Sequence, residues 1–118
     1  MSFRFREFPI YQKIREFIKQ IYILANKLPE KERFGLTSQL TRASVSVLLN
    51  LAEGATRKSD KEFNRFLLIS IGSIGEIVSI LDICLDLGYI GTITHEESVL
   101  KCEAIAKQLY GFARSLKK

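Results

Sequence analysis

The sequence predicts an all-α protein, specifically an antiparallel up-down-up-down bundle of four helices. Apolar residues recur with the helical period through most of the 118 residues, and start and stop signals divide them into four long segments. No segment alternates with the period of two that a half-buried strand requires. Short connections between long helices make consecutive helices antiparallel neighbours. We expect one domain, 1–118, because the chain contains no Pro-, Gly- or Ser-rich linker.

The first helix is predicted over 9–28 and is amphipathic. Pro9 suits the first turn, where its missing N–H is no loss. One face carries apolar side chains, namely Ile10, Ile14, Phe17, Ile18, Ile21, Ala25 and Leu28. Basic side chains lie outside that face, namely Lys13, Arg15, Lys19 and Lys27. The helix therefore presents a basic outer surface.

The second helix is predicted over 30–56 and is apolar around most of its circumference. Pro29 interrupts the first helix, and Glu30 and Glu32 then suit a new first turn, where the helix dipole favours acids. Gly54 lies near the end, as a terminator would. One narrow sector is polar, and we call its residues the polar seam: Gln39, Arg42, Ser46, Asn50 and Glu53.

Capping boxes predict the starts of the third helix, 60–87, and the fourth, 95–116. Ser59 with Glu62 forms the first box, and Thr94 with Glu97 forms the second. The third helix ends before Gly88 and carries large apolar residues around most of its circumference. The fourth helix has a single apolar face, so it requires cover on one side only.

The second and third helices carry more apolar surface than a single bundle can bury. Large contiguous apolar surface on a soluble protein usually marks an interface. Gly72, Gly75 and Ser79 are small residues on one helix face, so another backbone can approach there. A glycine within a helix costs about 0.5–1 kcal/mol relative to alanine, which indicates a packing reason. We therefore expect a homo-oligomer whose subunit contact uses these two helices.

The same region carries a family resemblance in the motifs LTSQLTRA at 36–43, SVLLNLAEG at 46–54, SDKEF at 59–63 and FLLISIGSIGE at 66–76. They resemble the bacterial four-helix bundle proteins encoded in intervening sequences of 23S ribosomal RNA genes. The resemblance covers essentially the whole chain and implies a homopentamer with a central channel. The departures are Leu48-Leu49, where the family often has proline and alanine, and Gly75, where alanine or leucine is usual.

The accessory variability determinant of diversity-generating retroelements is similar to this family. In that relative a basic barrel binds nucleic acid and a reverse transcriptase. The resemblance therefore specifies the expected fold in more detail than the expected function.

Two interpretations of the polar seam remain open. The first is a buried polar network that fixes the register between helices or subunits, with Arg42 and Glu53 as a charge pair. The second is a seam that lines a pore or a small-ligand groove.

A basic cluster surrounds the turn between the second and third helices, formed by Arg57, Lys58, Lys61 and Arg65. Asp60 and Glu62 offset part of its charge. The net charge of +5 permits nucleic-acid binding without requiring it. Symmetry would repeat the cluster in every subunit, and phosphate binding strengthens with the number of neutralised phosphates. The alternative is a solvated helix end.

The outer face of the first helix adds Lys13, Arg15 and Lys19 to the candidate nucleic-acid surface. We see no aromatic platform interleaved with these cations, so recognition through the nucleic-acid backbone and shape is the expected mode.

Catalysis has little support in the sequence. His95, the single histidine, lies in a capping box. No Cys/His dyad, metal-ligand cluster or phosphate-binding glycine loop is evident, so we expect no enzyme, metal or cofactor. Glu53 and Glu76 are interpreted as charge partners of Arg42 or Arg65.

The compartment is predicted from three features. The start, MSFRFRE at 1–7, lacks the apolar core of a signal peptide. Glu76, Asp82 and Asp86 interrupt the apolar segment 66–87, and a carboxylate in mid-membrane costs about 3 kcal/mol. Cys84 and Cys102 lie on apolar faces without paired spacing, which is typical of buried thiols in a reducing compartment. We expect a cytoplasmic protein with no membrane partner.

The leading functional prediction is a non-enzymatic homo-oligomer that binds nucleic acid, structured RNA above all. The alternative is an interaction scaffold, or accessory subunit, that docks an acidic partner protein. A small-ligand pocket along the polar seam is the third hypothesis.

Overall fold

The computed structural model describes residues 1–116, which form four α-helices: α1 (Pro9–Ala25), α2 (Leu36–Ala55), α3 (Asp60–Asp86) and α4 (Thr92–Ser115). Two 3-10 turns, Arg4–Glu7 and Glu30–Glu32, precede α1 and α2. No β-strand occurs between residues 1 and 116. The helices pack into a globule of 44 × 25 × 19 Å. The predicted all-α class with four helices is confirmed.

The core lies between the four helices and is filled by branched apolar side chains. Ile14, Leu67 and Leu109 are fully buried, and each comes from a different helix. The most extensive contact is between α2 and α3. In that contact the buried Ser70 hydroxyl donates to the Val47 carbonyl oxygen at 2.6 Å. This bond satisfies a buried polar group and fixes the register of the two helices.

Gly54 allows α2 and α3 to approach closely beside the turn that connects them. A Cβ at this position would stand 2.7 Å from the Phe66 Cβ and 2.9 Å from the Phe63 Cδ1. Gly54 lies within α2, which ends at Ala55 with Thr56 as its C-cap. Its expected role as a helix terminator is therefore wrong, and close packing is the physical reason for glycine here.

The predicted start of the second helix at Glu30 is wrong. Residues Glu30–Glu32 form a 3-10 turn, and α2 begins at Leu36. The Leu36 N–H donates to the Glu32 Oε1 at 3.3 Å, so this carboxylate satisfies an amide of the first turn from outside the helix. Glu32 therefore caps α2 instead of belonging to it.

The start of α4 also differs from the prediction. The helix begins at Thr92, its N-cap is Gly91, and no side chain caps it. Thr94 and Glu97 consequently lie within the helix and form no capping box. The Ser59 cap of α3 is confirmed, because the Glu62 N–H donates to the Ser59 Oγ at 3.2 Å. The first helix ends at Ala25, earlier than the predicted 28.

By length and composition α3 is apolar enough to cross a membrane. The core helix of a soluble protein passes the same test, and one side of α3 lies in the core of this bundle, where Leu67, Ile77 and Leu81 are fully buried. Its apolar character therefore carries no argument for a membrane span.

Candidate nucleic-acid interface

Aromatic contacts join three parts of the chain at one end of the bundle. The Phe112 ring near the end of α4 lies 5.1 Å from the Phe8 ring and 5.3 Å from the Phe63 ring. Phe8 precedes α1 and Phe63 lies in the first turn of α3. The Arg4 guanidinium lies 5.6 Å from the centre of the Phe8 ring and 5.9 Å from that of Phe63. The N-terminal segment, the α2–α3 turn and the end of α4 therefore meet here.

We call this region the basic end, because most of its charged side chains are cationic. They are Arg4, Arg6, Arg57, Lys58, Lys61, Arg65 and Arg114, against Glu7, Glu53, Asp60 and Glu62. Four of the cations were predicted, and sequence reasoning missed Arg4, Arg6 and Arg114. The alternation of phenylalanine and arginine over 3–6 could have identified Arg4 and Arg6, because phenylalanines in this segment can anchor it to the bundle.

Two arginines of the basic cluster stack on one aromatic ring. The Arg57 guanidinium carbon lies 4.9 Å from the centre of the Phe66 ring, and that of Arg65 lies 4.6 Å from it. The prediction that no aromatic side chain is interleaved with the cluster is therefore wrong. The contact was missed because it joins the end of α2 to the second turn of α3 across the connecting turn.

Each stacked arginine also holds a carboxylate. Arg57 pairs with Glu53 and Arg65 pairs with Glu62, both at 3.1 Å. The hydrogen bond from Arg65 lowers the pKa of Glu62, so this carboxyl remains ionised at neutral pH. Lys58 makes no hydrogen bond or ion pair with any residue in 1–116. Both arginines are therefore held by a ring and a carboxylate, while the charge of Lys58 remains available to a ligand.

The outer face of α1 divides into two surfaces. Arg15 and Lys19 line a shallow groove together with Val45 and Leu48 of α2, and Lys13 is not part of it. Lys19 pairs with Glu16 at 3.4 Å. Arg15 pairs with no acid in the described chain, and its guanidinium donates to the Gln12 Oε1 at 3.0 Å. All three predicted cations of α1 are exposed, and two of them border the groove between α1 and α2.

The opposite end of the bundle carries mainly acidic side chains, and we call it the acidic end. The Tyr89 hydroxyl donates to the Glu32 Oε2 at 2.9 Å, and His95 Nε2 lies 2.8 Å from Asp82 Oδ1. These bonds join the Glu30–Glu32 turn to the segment after α3, and α3 to α4. The acids are Glu30, Glu32, Asp82, Asp86, Glu96 and Glu97, against Lys27, Lys31, Arg33 and Lys101.

Two of the five residues of the polar seam take part in a network between α2 and α3. The Ser46 hydroxyl lies 2.9 Å from the Ser73 hydroxyl, and the Asn50 amide donates to the Ser46 Oγ at 3.0 Å and to its carbonyl oxygen at 2.9 Å. Ser46 and Asn50 are half-buried and Ser73 is buried. The expected buried network exists here, and Ser73 is its unpredicted member.

The other three residues of the seam are exposed in the single chain. The predicted pairing of Arg42 with Glu53 is wrong, because eleven residues of helix separate them by about 16 Å. Glu53 instead pairs with Arg57 one turn away. Arg42 makes no ion pair or hydrogen bond within residues 1–116 and lines a shallow depression of about 260 Å³ with Gln39 and Glu76. This depression is one of two regions of the seam open to a ligand or another subunit; the second, of about 440 Å³, is lined by Arg42, Ser46 and Asn50.

The small residues of α3 lie on an exposed helix face. Gly72, Gly75 and Ser79 are exposed, and a Cβ built on either glycine has no atom within 4 Å. No packing within the described chain therefore requires glycine at these positions. Large apolar side chains surround or adjoin this face, and we call the whole the open face: Leu49, Leu68, Ile69, Ile83 and Leu87, with Gly72, Gly75 and Ser79.

The nucleophilic side chains are poorly placed for chemistry. Cys84 and Cys102 are fully buried free thiols. Burial raises the pKa of both, that of Cys102 to about 12, so the reactive thiolate is scarce at neutral pH. Among the described side chains no group of three or more His, Cys, Asp or Glu residues is arranged to hold a metal ion.

The fold has a solved counterpart. The chain is similar to the crystal structure of a protein of unknown function from the S23 ribosomal protein family of Bacteroides thetaiotaomicron, with a TM-score of 0.82 and 23% sequence identity. The match covers 90% of this chain and 99% of that one. No curated protein matches the sequence. The family model of the 23S rRNA-intervening sequence protein matches residues 6–111, and the chain belongs to this family.

Proposed function

We propose that this chain is a non-enzymatic, cytoplasmic bundle that assembles with copies of itself and binds structured RNA through its basic end. The helices run antiparallel in up-down-up-down order, and the assembly is the homopentamer that the resemblance implies. The single observation that carries the proposal is the convergence of cations from three parts of the chain at one end of the bundle.

The charge distribution favours an oriented complex. Phosphates are attracted to the basic end and repelled by the carboxylates of the acidic end. In a cyclic assembly every subunit has the same orientation about the axis, so all basic ends lie on one rim. Each subunit then adds its cations to one ring, and affinity increases with the number of phosphates neutralised.

The stack on Phe66 defines the roles of the cations. Glu53 and Glu62 pair with Arg57 and Arg65 beside the ring, so both arginines are partly ordered before RNA binds. Lys58 and Lys61, both exposed, are the main phosphate contacts. This arrangement supports recognition of the RNA backbone and shape rather than of base sequence.

Self-assembly through the open face follows from two physical arguments. Exposed apolar side chains such as Leu68 and Ile83 remain in contact with water in the single chain, and covering them stabilises a complex by about 25 cal/mol per Å². Gly72 and Gly75 each lower helix stability by about 0.5–1 kcal/mol relative to alanine, and neither has a packing partner in the described chain. The close approach of a second copy along this face explains why glycine occurs at both positions.

Binding of a labelled structured RNA over a salt series tests the function. We expect Lys58→Glu with Lys61→Glu to weaken binding at least tenfold at about 50 mM salt and to flatten the salt dependence. The control is Lys27→Glu with Lys31→Glu, which changes the net charge equally at the acidic end and should shift affinity less than threefold. Equal losses in both variants would reduce the interaction to net charge and contradict a basic-end site.

An acidic partner protein is the second candidate for the basic end. The observation that favours it is that Arg57 and Arg65 already hold carboxylates in the geometry such a partner would use. Capture of partners with and without nuclease treatment separates the two functions. A partner retained after nuclease treatment, together with no RNA binding at low salt, would favour the protein scaffold.

A further inference from the structure

A cavity of about 340 Å³ lies at the acidic end, between α1, the segment that follows α3 and the start of α4. Its floor consists of Phe17, Ile21 and Leu24, whose side chains are buried against the core. Tyr89 and Ile90 form a wall. The volume and the apolar floor are those of a pocket for a small organic molecule.

Polar side chains surround the mouth of the cavity, and none of them has a partner within residues 1–116. They are Gln20, Lys27, Thr94, Glu97, Ser98 and Lys101. Glu97 and Lys101 stand four residues apart in the order that favours an ion pair on a helix, yet they make none. The hydrogen-bonding capacity around the cavity therefore remains available to a ligand.

We propose that this cavity binds a small organic anion with an apolar body, of the aryl carboxylate class. The apolar body would lie on Phe17, Ile21 and Leu24, where it displaces water from apolar surface. Lys27, just after the end of α1, and Lys101 of α4 border the mouth from different parts of the chain, and Glu97 is the only acid among the described lining residues. The proposal is independent of RNA binding, which uses the other end of the bundle.

The cavity walls are held in place before any ligand arrives. The Tyr89 hydroxyl is bonded to Glu32, and Asp82 is bonded to His95 on the first turn of α4. The start of α4 borders the cavity at Gly91 and Thr94 and has no side-chain cap, so the positive end of its dipole adds to the lysine charges. Two lysines against one glutamate above an apolar floor favour an anion over a neutral analogue of the same shape.

Calorimetric titration of the full chain with 2-naphthoate tests the proposal. We expect 2-naphthoate to bind at least fivefold more tightly than neutral 2-naphthamide and the cation 2-naphthylmethylammonium. Lys27→Gln with Lys101→Gln should weaken 2-naphthoate at least fivefold. Lys13→Gln with Lys107→Gln removes the same charge from α1 and α4 at positions outside the cavity lining and should change the affinity for 2-naphthoate less than twofold.

A second variant separates the cavity from other apolar surfaces. Thr94→Trp places a large ring at the exposed rim without disturbing the core, and it should reduce 2-naphthoate binding at least tenfold with an unchanged circular dichroism spectrum. No binding at millimolar 2-naphthoate, equal binding of the cation, or unchanged affinity in Thr94→Trp would overturn the proposal. Loss of binding in Leu68→Ser instead would place the probe on the open face and overturn it equally.

Discussion

The two ends of the bundle are built in different ways. At the basic end Arg57 and Arg65 are stacked on Phe66 and paired with neighbouring glutamates, while the charge of Lys58 remains available. At the acidic end, polar side chains without partners surround an apolar floor. The first arrangement suits a large polyanion held at many points, and the second suits one small molecule held in a cavity.

The largest expected effect is loss of the aromatic anchor at the basic end. Phe63 is buried against Phe112 and Arg4, so Phe63→Ala should lower the free energy of unfolding by about 3–5 kcal/mol. Urea denaturation measures the change. Phe34→Ala, at an exposed ring of the acidic end, is the control and should change stability by less than about 0.5 kcal/mol. Similar losses in both would show that the basic end has no special anchor.

Gly54 gives the next effect. A methyl group would be driven into Phe66 and Phe63, so Gly54→Ala should destabilise the fold by about 1–3 kcal/mol. Gly72→Ala places the same methyl group in open space and should instead stabilise an isolated subunit by about 0.5–1 kcal/mol. Thermal unfolding at low protein concentration compares the two. Equal effects of the two substitutions would contradict the close approach at Gly54.

The stack on Phe66 makes a smaller contribution. Phe66→Leu retains an apolar contact but removes the ring, and each lost cation–π contact weakens the stack by about 0.5–1 kcal/mol. We expect RNA affinity to fall about three- to tenfold, because the guanidiniums are no longer preorganised. The matched change Tyr22→Leu lies away from the basic end and should leave RNA affinity unchanged. An equal fall in both variants would remove the stack from the binding surface.

The bond from Tyr89 to Glu32 gives the smallest effect. This bond raises the pKa of Tyr89 because it requires the neutral phenol. A raised pKa stabilises the fold below the ordinary tyrosine value of 10.0, and the stabilisation is lost as pH rises through the folded value. Tyr89→Phe should therefore lower the melting temperature slightly at pH 7 and have no effect once the phenol is ionised. A difference that persists at the most alkaline pH would contradict this assignment.

Local features were predictable from the sequence and tertiary ones were not. The Ser59 cap lies within one turn of helix and was predicted correctly. Glu32 was assigned to a helix that it caps from outside, because its partners Leu36 and Tyr89 are known only from the fold. The glycines of α3 were identified correctly as unusual, since their cost is a property of any helix.

The same distinction applies to the sites. Arg57, Lys58, Lys61 and Arg65 are neighbours in sequence, so their cluster was visible without a structure. The predicted Arg42–Glu53 pair does not form within the chain, because residues eleven positions apart on one helix face lie far apart along the helix axis. The cavity was missed entirely. Its lining joins residues of α1 to residues that follow α3, and no local sequence pattern indicates that these residues are close in space.

The Ser70–Val47 bond also has a consequence for the order of folding. It lies in the contact between α2 and α3, which are consecutive in sequence and joined by residues 56–59. Contacts of short sequence separation form fastest, so we expect this hairpin to be the folding nucleus. On the ribosome it can form while α4 is still being synthesised. The open face then exists before the chain is complete, so the self-assembly that we propose can begin while synthesis continues.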